Sequence, residues 1–182
     1  MSKLELVREV YAHNEWANNV ILETAAKVPE AALKTQPVGS YTTIVADLAH
    51  VIGAQVTWLG RWQTGKMPEG ADRFEDMDSL AVVRAEAEKS HEALRDYFAA
   101  LTDADVDVVA EYQLWIDPSA TDEEKAKIEA RYANPQVWPR WKMFHHVANH
   151  SSFHRGEIAL CLTALGESPG ELDFLHYQRF GR

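Results

Sequence analysis

The chain has one cysteine, Cys161, in 182 residues. That scarcity excludes an intrachain disulfide and any zinc knuckle built from thiolates. Cys161 itself reads as a small, buried apolar residue on a helix. No apolar run approaches the roughly 20 residues that a membrane helix needs. The opening stretch MSKLELVREVYAHNEW carries charges in every turn, does not read as a signal peptide, and leaves the cytoplasm as the expected location. Basic residues are scarce too, 18 Lys and Arg against 28 Asp and Glu, for a formal net charge of −10. Such a surface repels phosphate backbones and anionic lipid, so neither nucleic acid nor a membrane is expected as partner. There is no internal repeat and no low-complexity tract, hence no solenoid and no disordered tail.

What is present suits one compact domain over residues 1–182, with 46% hydrophobic residues for a core and 25% charged residues for a surface. Four long segments carry helical periodicity, separated by Pro and Gly, and predict an all-α four-helix bundle. The first helix starts at Ser2, where Ser2 and Glu5 form a capping box, follows an apolar stripe through Val7, Val10, Tyr11, Ala17, Ile21 and Ala25, and stops near Lys27. The second begins between Ser40 and Thr43 and continues to about Thr64, before Gly65. The third is heptad-like, with Leu80, Ala87, Leu94 and Leu101 at one position and Val83 and Phe98 near the other. The fourth can begin at Pro139 and run to Leu165, with Gly166 as a left-handed stop, before the tail DFLHYQRF. Between the third and fourth lies a long link in which EYQLWI could be extended and Thr121 with Glu124 caps a short charged helix; a link of that length permits a crossover.

The fourth helix holds the densest chemistry: His146, His150 and His154, spaced by four and followed by Arg155 and Gly156. A step of four residues turns a side chain by only about 40°, so neighbours in this series share a face and can grip one ion. The outer pair lie about 12 Å apart along the axis, too far for metal–nitrogen bonds of about 2.1 Å. Two of the three can be ligands, and a third ligand must come from elsewhere. Spacing does not choose between His146 and His154 as the partner of His150. A hydrogen-bonded histidine pair in a polar core is the alternative to a metal, and it leaves more of the burial cost of about 1–3 kcal/mol per unpaired group standing. His50, in the apolar run of the second helix beside Gly53 and Ala54, is the best third ligand; the two small residues would let another helix approach. Asp47, one turn earlier, can orient an imidazole or simply favour the positive end of its helix. His145 points to the surface or an interface, and His13, His91 and His176 read as structural.

These segments together, YAHNEWANNVIL, LAHVIGAQVTWLGRW, HHVANHSSFHRGEIALCLTALGESPG and DFLHYQRF, resemble the DinB or YfiT-like family of bacterial metal-binding four-helix bundles over almost the whole chain. The resemblance implies a bundle with a crossover and a divalent metal on His50, His150 and His154, the last two directly preceding the Arg-Gly pair. It places His146 beside the site and suggests a homodimer, whose surface the six Trp residues would suit. Phe153 stands where relatives often have another histidine, and Trp115–Trp138 is a longer segment than usual, one that could cover a pocket and change the substrate.

Three imidazoles leave coordination positions open, the layout of a catalytic site. The family includes enzymes that use low-molecular-weight thiols, so the expected function is a metal-dependent thiol transferase acting on a small-molecule electrophile. A hydrolase using metal-bound water is the alternative, and a non-catalytic metal-binding stress-response protein a further one. Arg155 is the first candidate for binding an anionic thiol cofactor, with Arg61 and Arg140 behind it. Glu157, His146 and Asp47 are the candidate catalytic acid–base groups. Zinc or nickel is the expected metal, with iron, manganese and copper as alternatives.

Overall fold

The computed structural model describes residues 1–35, 39–66, 68, 74–112, 116, 120–131 and 136–181. In chain order its helices are α1 (Lys3–Ala25), α2 (Glu30–Leu33), α3 (Ile44–Thr64), α4 (Leu80–Ala100), α5 (Asp103–Val106), α6 (Asp122–Arg131), α7 (Arg140–Ala164) and α8 (Phe174–Phe180). A 3-10 turn at Phe74–Asp76 and two short strands, β1 (Val109–Tyr112) and β2 (Gln136–Pro139), complete the described elements. No helix among them is long and apolar enough to cross a membrane.

The helix ends follow from their capping chemistry. Ser2 Oγ accepts from the Glu5 backbone N–H at 3.2 Å while Glu5 Oε2 accepts from the Ser2 N–H at 2.6 Å, the reciprocal cap predicted for α1. Thr43 Oγ1 accepts from the Ala46 N–H at 3.1 Å to start α3, and Gly65 ends that helix at φ 72°, a conformation that favours glycine. At the end of α7 the Glu167 N–H reaches Leu162 O and the Gly166 N–H reaches Thr163 O, both at 3.0 Å, with Gly166 at φ 96°. Two boundaries differ from the sequence reading. Leu101 is extended backbone just past α4, and Pro139 stands before α7 as the last residue of β2.

The four long helices pack as a ring: α1 against α7 and α4, and α3 against the same two. Two apolar clusters fix their directions. One joins Ile21 and Ala25 of α1, Leu48 and Ile52 of α3, Val83 of α4, and Ile158 and Leu162 of α7. The other joins Leu4 and Tyr11 of α1, Leu59 and Trp62 of α3, Leu94 and Phe98 of α4, and Phe144 and Val147 of α7. Thus α1 and α7 run one way, and α3 and α4 the other. Half-buried Cys161 packs against the first cluster.

The link between α4 and α7 joins helices on opposite corners of the ring and carries α6, whose Thr121–Glu124 cap forms as predicted: the Thr121 N–H donates to Glu124 Oε2 at 2.9 Å. Of the EYQLWI stretch, Glu111 and Tyr112 belong to β1, whereas 113–115 lie outside the described residues, as do 117–119 and 132–135 of the segment between Trp115 and Trp138. Strand β1 pairs antiparallel with β2, Val109 opposite Pro139 and Tyr112 opposite Gln136, and so closes the base of this link. The link between α3 and α4 behaves differently. Those helices are parallel neighbours, so the chain must return along the bundle. Its described points do so: Pro68 lies on Gly60 and Phe74 on Gly53. Gly53 admits the Phe74 ring where the sequence suggested an approaching helix.

A Cβ on Gly53 would come within 2.0 Å of the Phe74 ring. Gly53→Ala should therefore lower stability by about 1–3 kcal/mol in urea titration despite the better helix propensity of alanine. Phe74→Ala in the same chain should recover part of the loss, and full additivity of the two would sink this contact.

Candidate metal centre

Between the two apolar clusters the helices are joined by polar side chains. On the α3–α7 side the fold brings together His50, His150 and His154. Their rings form a near-equilateral triangle, with centroids 4.8, 4.8 and 4.5 Å apart and planes crossing at 75°, 72° and 74°. One ring nitrogen of each lies within 4.8 Å of those of the others. His50 Nε2 and His150 Nε2 face each other at 2.8 Å. A pair of neutral imidazoles must place a proton between two such nitrogens, whereas a cation placed there uses both lone pairs. Burial and the neighbouring imidazoles lower the pKa of His50 and of His150 to about 4, which keeps both neutral, the form in which an imidazole can bind a cation. The donor set of three imidazole nitrogens and no thiolate fits zinc, nickel, copper or iron.

The third imidazole is oriented from behind. His154 Nδ1 lies 2.8 Å from Asp47 Oδ1 and 3.3 Å from Glu157 Oε2. These contacts lack hydrogen-bond geometry, and the same three side chains form a second cluster that could hold a cation. Asp47 was expected near an imidazole, and it is His154 across the bundle that it reaches. It is fully buried, and burial first, then the Glu157 charge, raise its pKa to about 7. Glu157 is steadied by Ser40, whose hydroxyl donates to Oε1 at 3.0 Å.

His146 lies outside the triangle, its ring stacked on His150 at 6.0 Å and 5.4 Å from Trp58. The Arg61 guanidinium sits 4.3 Å over the Trp58 ring, on that same flank. Arg155 lies elsewhere. It is 3% exposed and turned toward α1, where it donates through Nη1 to Asn14 Oδ1 at 2.6 Å and Asn18 Oδ1 at 2.8 Å, and through Nη2 to Ser152 Oγ at 2.8 Å. The remaining histidines stand apart: His145 is exposed, His13 meets the Leu172 carbonyl at 2.8 Å, His91 meets Asn18 at 3.3 Å, and His176 meets Glu171 at 3.2 Å.

Two aromatic residues at the centre escaped the sequence reading. Tyr41, from the loop before α3, lies 4.5 Å from the His50 ring and 5.6 Å from that of His154; Phe74 packs edge-on to His50 at 5.5 Å. Burial, then the charges of Asp47 and Glu157, push the Tyr41 hydroxyl up to about 12. Neither residue carries a helical-spacing signal, because each arrives from a loop.

Fold and centre together define an all-α bundle with a trio of imidazoles that could hold a divalent cation. The chain belongs to the DinB family, whose model matches residues 1–181. No curated protein matches it.

The neutral imidazoles make stability depend on pH. Below about pH 6.5 an unfolded chain takes up protons at His50 and His150 that the folded chain refuses until about pH 4. Metal-free protein should therefore be most stable above that window and lose urea resistance as pH falls through it. His50→Ala should flatten the slope, and an unchanged slope would argue against buried neutral imidazoles.

Proposed function

We propose that this protein is a metal-dependent enzyme that transfers a low-molecular-weight thiol to a small-molecule electrophile, with zinc or nickel held by His50, His150 and His154. The observation that carries this reading is the triangle of three neutral imidazoles, donated by two helices and lacking a thiolate. Such a donor set leaves coordination positions free. A divalent cation there would supply Lewis acidity, favouring deprotonation of a thiol at neutral pH. In the transfer, the thiol proton leaves to solvent, sulfur forms the bond to carbon, and the leaving group departs with its electron pair. The chain's own contribution is geometric: Asp47 and Glu157 lie at His154 Nδ1, while Tyr41 and Phe74 pack on the His50 ring.

Hydrolysis is the second reading, and the position of His146 supports it. Its ring stacks beside His150, and desolvation together with the Arg61 charge lowers its pKa, so it could accept a proton from a water molecule near the centre.

Elemental analysis followed by a panel of cellular thiols with a small electrophile tests both. His50→Ala, His150→Ala and His154→Ala should each lose most of the metal, and His145→Ala should keep it. Metal-dependent thiol consumption is expected, with His146→Ala nearly unimpaired. Ester cleavage without thiol, falling about 100-fold in His146→Ala, would instead select hydrolysis. Full metal retention in His50→Ala would overturn the ligand set.

A further inference from the structure

On the α1–α4 side of the bundle, a chain of amides ends on an unused donor. A guanidinium only donates hydrogen bonds, so Asn14 and Asn18 must turn Oδ1 toward Arg155. Their amide nitrogens then face the other way, and both donate to Gln55 Oε1, at 2.8 Å from Asn14 and 3.4 Å from Asn18. Gln55 is thereby fixed with Nε2 as the terminal donor. The residue is 0% exposed and Nε2 has no acceptor. A buried donor left without an acceptor is destabilising, so it calls for one.

Gln55 forms the floor of a cavity of about 340 Å³ between α1 and α4. Tyr11, Leu94 and Phe98 supply apolar walls, and Arg8 and Arg95 stand at the mouth. The mouth cations are already engaged: Arg8 donates to the Phe98, Ala99 and Leu101 carbonyls, and Arg95 pairs with Glu15. Recognition therefore falls to the deep donor. Aligned amides carry the positive field of Arg155 toward Nε2, which favours an anionic acceptor over a neutral one. Three walls of ring and branched carbon favour an aromatic body behind it.

We propose that this cavity is a second ligand site, separate from the imidazole centre, for a small aromatic carboxylate whose oxygen accepts from Gln55 Nε2. Benzoate is the probe, with benzylamine as its cationic counterpart, titrated into the full chain by calorimetry or saturation-transfer NMR. Benzoate should bind saturably and benzylamine should not. Gln55→Leu should weaken benzoate by at least about tenfold. Because Gln55 is buried in the network, Ala12→Trp is the second variant: it fills the cavity from an exposed lining position and should abolish binding. His150→Ala should bind benzoate unchanged, which separates this site from carboxylate capture by a metal. No binding of benzoate, equal binding of benzylamine, retention in Ala12→Trp, or loss in His150→Ala would each overturn the proposal.

Discussion

A buried cation holds the middle of this bundle. Arg155 is 3% exposed, and its hydrogen-bond partners are neutral: two asparagine oxygens and a serine hydroxyl. Burial lowers its pKa to about 10, so it stays charged at neutral pH and its donors must be met. Those donors tie α7 to α1. The asparagines pass the constraint on, Asn14 and Asn18 to Gln55 of α3 and Asn18 to His91 of α4. All four long helices are thereby pinned in one polar layer between two apolar clusters, a layer that fixes their register as apolar packing alone does not.

The same layer explains where the imidazole centre sits. His154 and Arg155 are adjacent in sequence and about 100° apart around α7, so one faces α3 as the other faces α1. His150, one turn earlier, meets His50 on that α3 face. Asp47 enters from α3 with no solvent contact and lies 2.8 Å from His154 Nδ1. The centre and the guanidinium network are thus two sides of one residue pair, and rotation of α7 would disturb both together. Gly53 serves the centre in another way, letting Phe74 lie close enough to pack on the His50 ring.

Much of this was legible in the chain. Caps at Ser2, Thr43 and Thr121 and the glycine stops at Gly65 and Gly166 bounded helices, because capping is local chemistry between residues three or four apart. The four-residue spacing placed His150 on one face with both His146 and His154, the apolar surroundings of His50 marked it as the best third ligand, and the family likeness selected His154 over His146. What was not legible involves residues that meet only across helices. Arg155 was read as a cofactor-facing cation and is spent on α1; Asn14 and Asn18, polar residues on an otherwise apolar stripe, were the available sign that α1 received a buried donor. Strand β2 escaped because Gln136–Pro139 has too few residues to show an alternating pattern.

Local propensity and composition were enough for an all-α chain with four long amphipathic helices, a thiol-poor interior and a run of imidazoles on one helix face. Tertiary structure decided which faces meet: α1 and α3 on opposite corners of the ring, Asp47 behind His154, Arg155 turned away from the centre, and the link between α3 and α4 laid back over Gly60 and Gly53. The physical reason is that helical periodicity says which residues share a face but not which helix that face will find. That choice is made by the mutual satisfaction of buried polar groups and the fit of rings against glycine, both of which exist only once the helices are assembled.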